Sequence, residues 1–111
     1  MSGITTHVLD TSRGCPAAGV PVVLERAVDS GWESVGRGTT DADGRARALL
    51  SSAPQAGRYR LTFETGAYFE AAGGAGFYPE VSVTFLVERG QEHYHVPLLL
   101  SPFGYSTYRG S

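Results

Sequence analysis

His93-Tyr94-His95-Val96-Pro97-Leu98-Leu99-Leu100-Ser101-Pro102-Phe103-Gly104-Tyr105-Ser106-Thr107-Tyr108-Arg109-Gly110-Ser111 is the stretch on which the reading of this chain turns. It reads as a β-strand, a Ser-Pro turn and a second strand that carries on to the last residue. Successive side chains of an extended chain alternate faces, so His93 and His95 project from one side. Chain ends are usually polar and loosely held. This one keeps Phe103, Tyr105 and Tyr108 within a few residues of Ser111, and is therefore expected to be a working part of the protein.

The same short-strand grammar runs upstream. Residues 4–10 are rich in β-formers, with Ile4, Thr6 and Val8 on one face and Thr5, His7 and Leu9 on the other. A long turn signal from Arg13 to Gly19 leads into an extended run from Val20 to Arg26, and Asp29-Ser30-Gly31 turns it back into a third strand, Trp32 to Thr40. Asp41-Ala42-Asp43-Gly44 is a tight turn that delivers Arg45 to the first position of a strand ending at Leu50. Residues 58–64 place Tyr59, Leu61 and Phe63 inward, and residues 80–87 do the same with Val81, Val83, Phe85 and Val87. Thr65 to Gly73 is the one helical stretch, of two turns at most, with Thr65 as its cap and Gly73-Gly74 as its end. Seven to eight strands with one short helix make an all-β fold of two packed sheets. Residues 1–111 are expected to form a single domain.

Composition narrows the chemistry. All nine basic residues are arginine, so no lysine is present to form a Schiff base, act as a general base or bind a phosphate loop. A net charge of -2 without a basic cluster speaks against nucleic acid as a partner. No apolar run approaches the roughly 20 residues of a membrane-spanning helix, so no membrane partner is expected. The first residues carry neither a basic nor an apolar leader segment, which favours the cytoplasm. Cys15 is the lone cysteine, so neither an internal disulfide nor a cysteine-based metal cage can form.

Thr6-His7-Val8-Leu9-Asp10-Thr11, Arg13-Gly14-Cys15-Pro16-Ala17, Thr40-Asp41-Ala42-Asp43-Gly44-Arg45, His93 to Pro102 and the closing Tyr108-Arg109-Gly110-Ser111 carry a more specific signal. In this order and at this spacing they resemble the 5-hydroxyisourate hydrolases, the purine-catabolic branch of the transthyretin-like family. The Tyr-Arg-Gly-Ser tetrapeptide is the most specific mark, since hormone-carrying transthyretins lack it. The resemblance implies a transthyretin-like (prealbumin) β-sandwich assembled as a homotetramer, a dimer of dimers with active sites where the dimers meet. It implies hydrolysis of the ring amide of 5-hydroxyisourate, the product of urate oxidation, to 2-oxo-4-hydroxy-4-carboxy-5-ureidoimidazoline, without a cofactor. It also implies a polar set of His7, Arg45, His95 and Ser111, with Tyr108 beside them.

These residue types suit the chemistry. Opening a cyclic amide with water needs a base, a group that stabilises the oxyanion and a clamp for a flat heterocycle. An imidazole titrating near pH 6.5 can take the water's proton, a role open to either His7 or His95. Arg45 can grip neighbouring carbonyl or anionic atoms with its planar fork. Ser111, through its hydroxyl or its terminal carboxylate, can orient substrate or water. The strands bearing both histidines are apolar on both faces, the pattern of a sheet with one face in the core and the other covered by a partner subunit. On an ideal strand Tyr108 and Ser111 fall on opposite faces, so either the strand stops before Ser111 or one of the two lies outside the site.

Three rival readings follow from the same residues. The first is a transthyretin-type binding protein that holds a ligand without altering it. The second is a zinc site on His93, His95 and His7, for which the sequence marks no fourth ligand. The third is a purely structural sandwich, because a single strand histidine is more often hydrogen-bonded scaffolding than catalyst.

Overall fold

Alternation of apolar and polar side chains builds two sheets that face each other across the apolar rows. The computed structural model describes residues 3–50 and 52–110. In chain order the elements are β1 (Gly3–Asp10), β2 (Cys15–Pro16), β3 (Pro21–Val28), β4 (Gly31–Thr39), β5 (Arg45–Leu50), β6 (Gly57–Phe63), α1 (Thr65–Ala71), β7 (Val81–Val87), β8 (His93–Ser101) and β9 (Gly104–Thr107). One sheet runs β2-β1-β8-β9, with β5 also paired to β1, and the other runs β4-β3-β6-β7. The fold is an all-β sandwich with one short helix, as the sequence leads one to expect.

The core is the inward row of each strand. Ile4 and Val8 of β1, Leu24 of β3, Leu61 and Phe63 of β6 and Leu98 of β8 have no exposed surface. Each such side chain contributes about 1.5–3 kcal/mol through burial. Thr6 sits among them, and its hydroxyl donates to the Val96 carbonyl across the sheet, so burying it leaves no donor unpaired. One pairing sets the architecture: β1 and β8 run parallel, from Gly3 opposite His93 to Asp10 opposite Leu100, whereas every other strand pair is antiparallel.

Three local readings of the sequence change. The turn from Arg13 to Gly19 contains β2, a two-residue strand whose Cys15 and Pro16 pair with Asp10 and Leu9; together with β9 it brings the count to nine among the described residues. Thr65 is the first helical residue rather than the cap, because its hydroxyl donates to the Tyr78 carbonyl at 3.1 Å, and Glu64 takes the cap position without a side-chain bond. The final strand stops at Thr107 instead of running on, since beyond it the chain returns to β8 only at a bridge between Gly110 and His95. The other end of α1 is as expected. Gly73, at φ +85°, donates to Glu70 and Gly74 donates to Phe69, the paired bonds of a Schellman ending.

Candidate active site

The turn after β4 assembles the first half of the site. The Asp41 carboxylate accepts the main-chain N–H groups of Asp43 at 2.9 Å and Arg45 at 3.0 Å, and it pairs with Arg47 at 3.0 Å. These donors, the Arg45 N–H foremost, hold its pKa below the usual carboxylate value. Gly44 is required here. Its φ is +77°, and a Cβ would fall 2.4 Å from the Val8 carbonyl oxygen. That close approach lets Val8 N–H donate to Gly44 at 2.7 Å, which locks the turn onto β1.

With the turn fixed, Arg45 lies directly opposite His7 in the β1–β5 ladder. Facing residues of an antiparallel pair have Cα atoms about 5 Å apart, with side chains on the same face. The same turn grips the imidazole, because His7 Nε2 lies 2.9 Å from the Asp43 carbonyl oxygen. A carbonyl can only accept, so the proton of neutral His7 sits on Nε2 and Nδ1 carries the lone pair.

The second half comes from β8. In the parallel ladder Thr5 is opposite His95 and His7 is opposite Pro97, which puts His7 and His95 on one face as diagonal neighbours. Strand spacing and rise place their Cα atoms about 8 Å apart. His95 Nδ1 is 2.8 Å from the Thr5 hydroxyl oxygen, and Gly110 N–H donates to the His95 carbonyl at 2.8 Å. Burial, followed by the positive charge of Arg45 and the neighbouring His7 and His93, pushes the His95 pKa below 6.5, while the interaction of the ring with the Thr5 main chain as acceptor acts in the opposite sense. The His95 imidazole is therefore held toward its neutral form at pH 7. The two histidines and the guanidinium converge on one half-buried sheet face.

The remaining candidates differ from one another. Tyr108 lines a cleft of about 250 Å³ with Val83, Phe85, Tyr94 and Val96, on the side of β8 opposite to His95. Beside it, the Arg109 guanidinium stacks 4.6 Å over the Tyr94 ring and anchors the segment leading to Gly110. Ser111 lies outside the described residues. His93 pairs with Gly3, four rungs from the level of His7, a separation of about 13 Å along the strands. The three imidazoles are thus spread along the sheet, and among the described residues no three His, Cys, Asp or Glu side chains form a metal-binding group. Sequence reasoning missed Thr5 and the Asp43 carbonyl. The Asp-x-Asp-Gly turn signalled the second only as geometry, and nothing local signalled the first.

Comparison with known proteins gives a consistent picture. The 5-hydroxyisourate hydrolase of Salmonella typhimurium is 51% identical over 109 residues, covering 97% of this chain and 80% of that protein. The solved structure of Klebsiella pneumoniae 5-hydroxyisourate hydrolase superposes with a TM-score of 0.88 at 42% identity, covering all of both chains. Transthyretin from Sparus aurata superposes as well, with a TM-score of 0.89 at 32% identity, over 99% of this chain and 97% of that one. Fold likeness alone does not separate hydrolase from carrier. The HIUase/Transthyretin family matches residues 4–110. With nearly the whole sequence matched and both sheets reproduced, the chain belongs to the HIUase/Transthyretin family.

Proposed function

We propose that this protein hydrolyses 5-hydroxyisourate, opening its ring amide to give 2-oxo-4-hydroxy-4-carboxy-5-ureidoimidazoline. The observation that carries the proposal is the convergence of His7, Arg45 and His95 on one sheet face, in a chain whose sequence matches hydrolases over nearly its full length. In this reading one imidazole takes a proton from water as the oxygen bonds to the ring carbonyl carbon. Arg45 faces the oxyanion that forms, and collapse of the adduct breaks the C–N bond with the proton delivered to the departing nitrogen. His95, neutral and partly desolvated, is suited to the base; His7, held by Asp43, is suited to bind a ring carbonyl once protonated or to steer the water. Ser111 is assigned to orienting substrate on the strength of the tetrapeptide alone. Tyr108 is left out of the set because its ring lines the edge cleft.

We also propose that residues 1–111 act as one domain in a homotetramer built as a dimer of dimers. Large apolar side chains on the outside support this: Phe77 is 69% exposed, Leu86 67% and Phe103 79%, and Tyr78 and Tyr105 stack edge to face beside them. The cytoplasm suits the single free thiol of Cys15, and no helix among the described residues is long and apolar enough to cross a membrane. The likeness to transthyretin keeps a second reading in play, a carrier without turnover. Two imidazoles and a guanidinium on the face suit a polar heterocycle better than an apolar hormone. Freshly oxidised urate tests both readings. The hydrolase accelerates the ultraviolet decay of the intermediate in proportion to protein added, whereas a carrier leaves the decay at its spontaneous rate and overturns the proposal.

A further inference from the structure

We propose that Thr5 is a positioning residue for this hydrolysis, holding the His95 ring with its proton on Nδ1 so that Nε2 presents its lone pair to the substrate face. The inference rests on the hydrolase reading of the site and deepens it. Thr5 is buried and stands directly opposite His95 in the parallel β1–β8 ladder, with its hydroxyl oxygen 2.8 Å from Nδ1. The ring is gripped at a second edge. A Cβ on Gly110 would sit 2.7 Å from His95 Cδ2, so the chain there lies close against the carbon that flanks Nε2.

Nδ1 and Cδ2 are the two atoms bonded to Cγ, and rotation of the ring by half a turn exchanges them. A flipped ring would place a C–H against the Thr5 hydroxyl, losing that bond, and Nδ1 against Gly110. The two grips therefore select one ring orientation. The tautomer follows from charge and from acceptors. A proton on Nδ1 finds an acceptor in the Thr5 hydroxyl 2.8 Å away and leaves the lone pair on Nε2, in a neighbourhood that includes the cationic Arg45, where a lone pair is favoured over a second N–H. Correct tautomer and orientation are what a third group supplies to a catalytic histidine in hydrolases of unrelated fold. A merely structural Thr5 would fill space in the strand, which valine does equally well.

The test uses the full chain with Thr5→Val, which keeps the β-branched shape, and Thr5→Ser, which keeps the hydroxyl. Nitrogen NMR of labelled histidine reads the tautomer of His95, and steady-state kinetics on freshly generated 5-hydroxyisourate read kcat and KM separately. The wild type is expected to show the Nδ1–H form. Thr5→Val is expected to mix the tautomers and lower kcat at least about tenfold, with KM changed less than about threefold. Thr5→Ser is expected to restore both readouts. An Nε2–H wild type, or Thr5→Val with wild-type kcat, overturns the assignment of Thr5. Failure of the hydrolase reading looks different, because the wild type itself would then leave 5-hydroxyisourate decaying at the spontaneous rate.

Discussion

Gly110 packs against His95 so closely that no side chain fits between them: an added Cβ would lie 2.7 Å from Cδ2 of the ring and 3.3 Å from Cγ of Pro97. Gly110→Ala must then either distort β8 or lift the terminal segment off it. Overpacking in place costs about 1–3 kcal/mol, and lifting an exposed tail costs less, so the tail is expected to yield. The expected result is a loss of kcat/KM of about tenfold or more with a nearly unchanged thermal midpoint. A variant as active as wild type would show that the segment need not lie on the ring.

Asp41 touches neither histidine, yet its carboxylate organises the turn that presents Arg45 and holds His7 through Asp43. Asp41→Ala is expected to raise KM and lower kcat together, because clamp and imidazole are displaced at once. Asp41→Asn keeps an oxygen able to accept the two N–H groups and is expected to fall between alanine and wild type. Steady-state kinetics on the three proteins checks the order.

The lowered pKa of His95 has a consequence for activity and one for stability. The acidic limb of kcat/KM should fall below pH 6.5, since the base stays neutral until its own depressed pKa is reached. Below pH 6.5 the unfolded chain takes up a proton on His95 that the folded chain refuses, so stability declines as pH falls toward the folded pKa and the effect is complete beneath it. Arg45→Gln removes a positive neighbour and is expected to shift the His95 titration upward, as followed by NMR. His95→Gln should flatten that part of the stability profile.

Tyr68 of α1 donates its hydroxyl at 2.6 Å to Asp10, three residues beyond His7 on the same strand and at the end of β1, and Ser12 and Arg13 share the same carboxylate. Burial, reinforced by Asp10, pushes the phenol up to about 12. The bond ties the only helix among the described residues to the sheet that carries the histidines. Tyr68→Phe is expected to cost about 1.5–3 kcal/mol, the range for a hydrogen bond to a charged group, with kcat unchanged. Chemical denaturation and kinetics on the same variant check both halves.

How much of this was readable in the chain depends on range. The rows Tyr59-Leu61-Phe63 and Val81-Val83-Phe85-Val87 announced their strands because a period of two is a local property, and the Asp-Gly turn announced Arg45 as the first residue of β5. His7, Arg45 and His95 were singled out by family likeness, and same-face geometry for the two histidines followed from alternation. Neighbourhood did not follow. The parallel register that puts Thr5 beside His95 joins segments ninety residues apart, and no periodicity encodes it. Thr65 misled because a threonine before a helix usually caps it, whereas here its hydroxyl finds a tertiary acceptor in Tyr78. The face of Tyr108 went unassigned because parity fails once β9 ends at Thr107.

The β1–β8 pairing also bears on how the molecule comes into being. Closing a loop of that span is entropically costly and late, so topologies of this kind fold slowly. A ribosome must release the partner of the first strand long after that strand has emerged, and until then its apolar row waits uncovered and open to wrong associations. Activity should therefore never precede the phase in which the β1–β8 pairing is completed during refolding from denaturant.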